Sequence, residues 1–318
     1  MKVKLLAILL AVNAVFVACA GSGGDRAKAD GARSAAIVKS DNGLREIALP
    51  PIPDSLTDPV DRACYLADHY WDNLDFSDTS LSLDTAFMEQ SFANFTTVLE
   101  LLPDARLKSA VAKLIEASSV NHEANDFVLD IAERYLYDPQ SPVYDERSYL
   151  PFVEYLLAAD PADQLLAYRR EMILKNSPGS SAPDFAFTTP DGSHGRLLDG
   201  DARYILLFFY EPDCEQCLAT IDALASSSDL AEMVADGGLR VVLDYQGDDT
   251  DLWVAHAATL PAGWIAARDN GAIDRDDLYD VRLTPTIYLS RRDRASAATV
   301  VVKDASLPQL ATALSLSR

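Results

Sequence analysis

Cysteine and histidine are both scarce in this chain, with four of each in 318 residues. The cysteines stand at positions 19, 64, 214 and 217. That is too few, and too unevenly spread, for the framework of paired bridges that holds small exported domains together. A structural zinc site needs four soft or nitrogen ligands at set spacings. A zinc site built on the one close cysteine pair would need two further ligands, and Cys64 with His194 is an unconvincing pair at unrelated positions, so no metal is expected. Basic residues are also in short supply, 27 against 49 acidic ones, for a formal charge of -22. Such a balance repels phosphate backbones and excludes nucleic acid as a partner. There is one long apolar run, at the very start, and the rest of the chain has no segment fit to span a bilayer.

That run begins with Lys2 and Lys4, continues from Leu5 to Ala18 with one break at Asn13, and ends at Cys19. It is shorter than the roughly 20 residues a spanning helix needs, and it reads as a targeting segment. Phe16-Val17-Ala18-Cys19 resembles the lipobox of bacterial lipoproteins, although Phe16 departs from the usual leucine. The resemblance implies lipidation at Cys19, a signal segment over 1–19, and attachment to a membrane through the lipid. Ordinary signal-peptide cleavage is the alternative. Residues 20–50, rich in Gly, Ala, Ser, Asp and Lys, lack any sustained apolar period and read as a flexible tether.

Residues 51–176 carry helical periodicity. Asp58-Pro59 opens a helix whose stripe is Val60, Cys64, Ala67, Trp71 and Leu74. In that stripe Cys64 is expected to be a small buried hydrophobe. Further helices are expected over 84–102 (Phe87, Phe95, Val98 and Leu102 inward), around Leu107–Ile115, and around Phe127–Tyr135. Another runs over 149–158, interrupted by Pro151, and a last one from Asp160-Pro161 through Leu165, Tyr168, Met172 and Ile173. The aromatic residues fall at core spacing and read as packing.

Ser177-Pro178-Gly179-Ser180-Ser181 marks a boundary, beyond which strands alternate with short helices over 177–318. Strands are expected at 185–188, 204–210, 239–245 and 264–267, with 286–290 and 299–303 as a hairpin. Helices follow Cys214 and are also expected over 251–258, 274–279 and 307–316. The apolar run Tyr204–Tyr210 delivers Cys214-Glu215-Gln216-Cys217 to the first turn of a helix. Residues three apart share a helix face, so the two sulfurs can face one another. A redox pair, a structural disulfide and half of a zinc site are the readings this spacing leaves open. The helix N-terminus favours negative charge there, whereas Asp213, read as the helix cap, and Glu215 oppose it. Each contribution is on the order of 0.3–1 kcal/mol.

Three segments in sequence order carry a resemblance: Ala182-Pro183-Asp184-Phe185 before a strand, Cys214-Glu215-Gln216-Cys217 at a strand-to-helix turn, and Thr284-Pro285-Thr286 before a strand 71 positions after Cys214. Together they resemble the TlpA/ResA-like branch of exported thioredoxin-fold thiol–disulfide oxidoreductases. The extra helix and strand over 250–268 fit that branch. The helical half is similar, more vaguely, to helical domains that precede such modules in some Gram-negative lipoproteins.

The resemblance implies a fold of two parts, an all-helical domain followed by a thioredoxin-like α/β domain. It implies that Cys214 attacks a partner disulfide and Cys217 resolves the mixed disulfide. Pro285 would be a cis-proline facing the sulfurs, with Thr284 binding the incoming peptide. No cofactor is expected beyond a redox-active Cys214–Cys217 disulfide. Partners would be exported proteins with disulfides or oxidised thiols, and a membrane electron donor. The site would lie in the envelope of a Gram-negative bacterium, on the periplasmic face or at the outer membrane. Reduction or isomerisation is the direction expected.

Two positions depart from the family. A buried carboxylate six before the first cysteine, or a glutamate three after the second, would manage the proton of the second thiol; here those positions are Phe208 and Thr220. Glu211, through water, is the remaining candidate for proton transfer. The segment Tyr210-Glu211-Pro212-Asp213 lacks the hydroxyl residue that a peroxiredoxin places before its cysteine. The competing reading is a non-enzymatic lipoprotein that uses the fold as a binding scaffold. His69, His122 and His256 are expected at the surface.

Overall fold

The computed structural model describes residues 37–39, 45–294 and 297–315. Signal segment and Cys19 lie outside the described residues. The chain divides into two compact units, 1–167 and 168–318.

The first unit opens with two short antiparallel strands, β1 (Ile37–Lys39) and β2 (Arg45–Ile47). This corrects the reading of 20–50 as tether throughout. Ile47 is buried and Arg45 pairs with Asp84, so a β-branched residue and an ion pair anchor the segment to the helices. Seven helices follow: α1 (Pro59–His69), α2 (Thr79–Ser82), α3 (Thr85–Leu99), α4 (Asp104–Ser118), α5 (His122–Leu136), α6 (Glu146–Ala159) and α7 (Gln164–Leu174). Side chains of Asp58, Asp78, Asp84, Asn121 and Asp145 accept backbone N–H bonds at the starts of α1, α2, α3, α5 and α6. Phe87, Phe95, Val98 and Leu102 are buried as expected, as are Leu107, Val111, Leu114 and Ile115.

Four readings change. Val60 is 42% exposed and Cys64 only half-buried, because α1 turns Ala63 inward, while Ala67, Trp71 and Leu74 are buried as expected. In α5 the buried face is Ala124, Val128, Ile131, Ala132 and Leu136, leaving Phe127 and Tyr135 half-buried. Pro151 does not interrupt α6: it is the sixth residue of the helix, which runs on to Ala159 without the N–H bond that position would make to Arg147 O, and its ring is buried. Leu165 and Tyr168 are each 57% exposed, while Met172 and Ile173 are buried.

The division at 167/168 falls inside α7, earlier than the Pro/Gly/Ser segment. The last turn of α7 and the residues after it belong to the second unit, where Lys303 Nζ donates to Met172 O at 2.7 Å, and the Asn176 side chain bonds Leu278 O and Asp280 N.

The second unit holds a small hairpin, β3 (Ala186–Thr188) with β4 (His194–Arg196), and a five-stranded sheet of order β7-β6-β5-β8-β9. Its strands are β5 (Tyr204–Tyr210), β6 (Leu239–Tyr245), β7 (Ile265–Ala267), β8 (Thr286–Arg294) and β9 (Ala297–Val302). The strands β7, β6 and β5 run parallel, whereas β8 and β9 join antiparallel. The helices are α8 (Glu215–Ala225), α9 (Ser228–Ala235), α10 (Thr250–Ala257), α11 (Ala272–Arg275) and α12 (Leu307–Ser315).

Every residue of the central strand β5 is buried, the mark of a strand covered on both faces. Period-2 alternation sends its side chains to two cores. Tyr204, Leu206, Phe208 and Tyr210 pack with Cys217 and Ile221 of α8, and Ile205, Leu207 and Phe209 pack with Phe185, Phe187 and Tyr288 on the opposite face. Helices packed on a mixed sheet, with a cis bond between Thr284 and Pro285, form a thioredoxin-like fold. No helix among the described residues is long and apolar enough to cross a membrane.

Candidate active site at the end of the central strand

The ends of β5 and β8 lie together because Phe209 pairs with Thr286 in register. The chain therefore leaves β5 through Glu211-Pro212-Asp213 directly beside the segment Leu283-Thr284-Pro285 that enters β8. The Cys214 N–H donates to Glu211 O at 3.2 Å, tightening this turn before α8 begins.

The cap of α8 is Cys214, not Asp213. Its backbone is extended (φ -82°, ψ 110°), and its Sγ accepts the Cys217 N–H at 3.1 Å. Sulfur thus occupies the place an aspartate or serine oxygen usually fills. A helix N-terminal N–H aimed at this sulfur supports a negative charge on it. Asp213 and Glu215 are exposed on either side.

The two cysteines sit in different surroundings. Cys214 is half-buried, and Cys217 is fully buried in the core of α8, β5 and β6. Burial is the largest influence on the Cys217 thiol, followed by its contact with Cys214; together they push it up to about 12. The backbone of Glu211 and the side chain of Thr284 pull the other way. Cys214 Sγ also lies 3.8 Å from Thr284 O. Thr284 therefore faces both sulfurs, its carbonyl toward the outer one and its side chain toward the inner one. Thr286 Oγ1 donates to Leu283 O at 2.6 Å and holds this loop at the head of β8. Cys214 and Cys217 are thus brought beside the Thr284-Pro285 segment, although Cys214 and Pro285 are 71 positions apart in sequence.

Glu211 is half-buried, and its backbone makes the contacts described at the sulfurs. Phe208 is buried, and Thr220 turns its hydroxyl back to Gln216 O at 2.7 Å. Neither position supplies a proton-accepting group to Cys217.

Two features escaped the sequence. His256 is not a plain surface residue: it is half-buried, its Nδ1 lies 3.3 Å from the Tyr210 hydroxyl, and burial lowers its pKa. Asp244 is fully buried near the end of β6, its pKa raised first by burial and then by Asp269. A lone acid within the apolar strand Leu239–Tyr245 was the available signal. Among the other residues weighed, His69 and His122 pair with Asp72 and Asp126 at the surface, and Cys64 is half-buried beside Arg106. No group of three or more His, Cys, Asp or Glu able to hold a metal occurs among the described residues.

Residues 25–176 match a family model described as a domain of unknown function (DUF5106). A thioredoxin-like protein from Bacteroides caccae is 31% identical, with a TM-score of 0.74 over 85% of this chain and 97% of that one. A conserved protein of unknown function from Bacteroides fragilis is 37% identical over 43% of this chain and 98% of its own, with a TM-score of 0.41. A thiol-disulfide oxidoreductase from Bacteroides fragilis is 17% identical over 44% of this chain and all (100%) of its own, with a TM-score of 0.36. No curated protein matches.

Proposed function

This chain belongs to the thioredoxin-like proteins, and we propose that it is an envelope-anchored thiol–disulfide oxidoreductase working through the Cys214/Cys217 dithiol. One observation carries the proposal: the outer sulfur caps a helix and receives its N–H, with a buried second cysteine one turn behind and Thr284 facing both.

The reaction follows from that asymmetry. The Cys214 thiolate attacks one sulfur of a partner's disulfide; the partner's S–S bond breaks and its other sulfur leaves as a thiolate. Cys217 then gives up its proton and attacks Cys214 Sγ; the bond from Cys214 to the partner sulfur it had attacked breaks, and that sulfur leaves as the second thiolate. The partner is reduced by two electrons, and the protein holds a Cys214–Cys217 disulfide. A membrane electron donor returns two electrons for the next cycle. Thr284, at the head of β8, lies where an extended peptide reaching Cys214 would pass.

Reduction or isomerisation is the direction proposed. A strongly oxidising site stabilises its reduced thiolate, and the acids Asp213 and Glu215 oppose that. The partners are exported proteins with disulfides or oxidised thiols. Lipid on Cys19 would hold the protein to the cell envelope of a Gram-negative bacterium, on the periplasmic face or at the outer membrane.

Cys217→Ser removes the resolving thiol and should leave partners linked to Cys214 as mixed disulfides in envelope fractions, with none in Cys214→Ser/Cys217→Ser. A chain that traps nothing under either oxidising or reducing conditions would be a scaffold instead.

A further inference from the structure

Charge at the proposed dithiol runs against its chemistry. Cys214 attacks as a thiolate, yet Asp213 and Glu215 on either side of it are exposed acids. Neither carboxylate makes a hydrogen bond or ion pair among the described residues, and neither does that of Glu211. Other acids of this unit are committed. Asp184 pairs with Arg196, Asp277 with Lys175 and Asp280 with Lys303, while Asp249 caps α10. Like charges beside a nucleophile disfavour its reactive form, and a local conflict of this kind is expected where function requires it.

The strands also sort charge along this unit. Where β5 begins, Tyr204 pairs with Arg291 and Ile205 with Arg240, and Arg292 Nε donates to Ala202 O at 2.9 Å. Basic side chains gather at that end. At the other end, Tyr210 pairs with Tyr245 and the Gln246 N–H donates to Tyr210 O at 3.1 Å. The segments after β5 and β6 therefore leave the sheet side by side, the first with Glu211, Asp213 and Glu215, the second with the exposed Asp248 and Asp251. Neither α8 nor α10 contains a lysine or arginine. The arginines placed toward this end are engaged: Arg268 donates to Gly247 O at 3.1 Å and lies 3.6 Å from Asp248, and Arg282 lies 3.4 Å from Asp280. A one-signed field around a reactive group speeds the approach of oppositely charged partners and slows like-charged ones.

We propose that Asp213 and Glu215 set the partner specificity of Cys214, selecting disulfides flanked by lysine or arginine, a role that rests on the dithiol reading above. Cys214 Sγ lies 3.8 Å from Thr284 O. An extended segment that pairs with Thr284 and presents its sulfur to Cys214 brings the residues flanking that sulfur alongside the two carboxylates. A lysine or arginine there balances them and removes their opposition to the Cys214 thiolate as the sulfurs meet. An acidic segment adds to the opposition. The exchange itself is unaltered: Cys214 Sγ bonds one partner sulfur, the partner's S–S bond breaks, and the other sulfur leaves as a thiolate. The same two acids that hold back the free thiol thus favour it toward a cationic partner.

The test uses the full-length chain with Cys217→Ser, in which exchange stops at the mixed disulfide. The probes are disulfide dimers of a blocked pentapeptide with cysteine at its centre, glycine on either side, and lysine, glutamine or glutamate at both ends. Acid-quenched samples are digested, and the mass of the peptide holding Cys214 gives the rate at that sulfur alone, apart from any adduct at Cys64 or Cys19. At about 0.01 M salt the lysine probe should react about tenfold faster than the glutamine probe and the glutamate probe slower by a similar factor, with both differences closing at about 1 M salt. The same ratios in Asp213→Asn/Glu215→Gln/Cys217→Ser report the reactivity of the probes themselves, and the lysine advantage there should fall to about twofold or less. Both substituted acids are exposed, so the fold is kept. Equal rates for the lysine and glutamate probes at low salt, or a lysine advantage undiminished without the two acids, overturns the proposal and leaves the dithiol reading standing. No adduct at Cys214 from any probe would remove both.

Discussion

Lys303→Met tests how the loop before Pro285 is held. Asp280 and Lys303 are both nearly sealed from water, their side chains 1% and 7% exposed, and their charges meet at 2.8 Å. Removing one partner of such a pair strands the other charge, at a cost of about 3–5 kcal/mol. Arg282 Nε, 3.4 Å from Asp280, offsets part of this and places the expectation near the lower end. Met172 O also loses the Lys303 donor, which adds about 1 kcal/mol. For a unit of this size, a total of about 3–4 kcal/mol corresponds to a fall in melting temperature of about 10 °C. The assay is pulsed hydrogen exchange along a urea titration, read on peptides from β5 and β8. Asp280→Asn/Lys303→Met keeps a side chain of the same shape without the charge, and should recover most of the loss. A single substitution costing less than about 1 kcal/mol, or a double variant no better than the single, would refute the argument that a buried charge is at stake.

Two more predictions concern groups near the sheet ends. The folded-state pKa of Asp244 is raised above its unfolded value, so the folded chain binds more protons, and stability falls as pH rises from about 4 toward that folded value. Asp244→Asn keeps an oxygen for the Gln246 donor at 2.8 Å, so it should raise the melting temperature at neutral pH and flatten its dependence there; a lowered melting temperature at pH 8 would contradict this. Cys214→Ala deletes the cap of α8 while Cys214→Ser replaces it with oxygen, so the alanine variant should be less stable by about 0.5–2 kcal/mol in urea titration. Equal stabilities would mean that the Cys217 N–H bond to Cys214 Sγ does not hold the helix.

Much of this architecture was legible in residue order because the signals were local. A seven-residue apolar run can hardly be anything but a covered strand, and β5 spans the expected 204–210. Asp58-Pro59 and Asp84 begin helices where their chemistry places them. The Thr284–Pro285 bond is cis and Thr284 O lies beside Cys214 Sγ, the arrangement the family resemblance implied. What stayed hidden depends on register. Whether Asp213 or Cys214 caps α8 is decided by one residue of backbone conformation, to which composition is blind. His256 meets Tyr210 only because α10 lies across two paired strands, and nothing in an isolated helix announces that. The pair β1–β2 was missed because three-residue strands beside a polar stretch carry too little period to stand out. Cys64 fits a helical stripe on paper, yet α1 is rotated enough that Ala63, outside the stripe, joins Ala67 in the interior and Cys64 is left half-buried.

The most direct test of the account is the thiol titration of the oxidised and reduced full-length chain against glutathione, with mass spectrometry assigning the bond. The account predicts a reversible two-electron couple between Cys214 and Cys217, at a potential more reducing than that of a strong oxidant. Cysteines that never pair at any glutathione ratio, or a strongly oxidising couple, would contradict it.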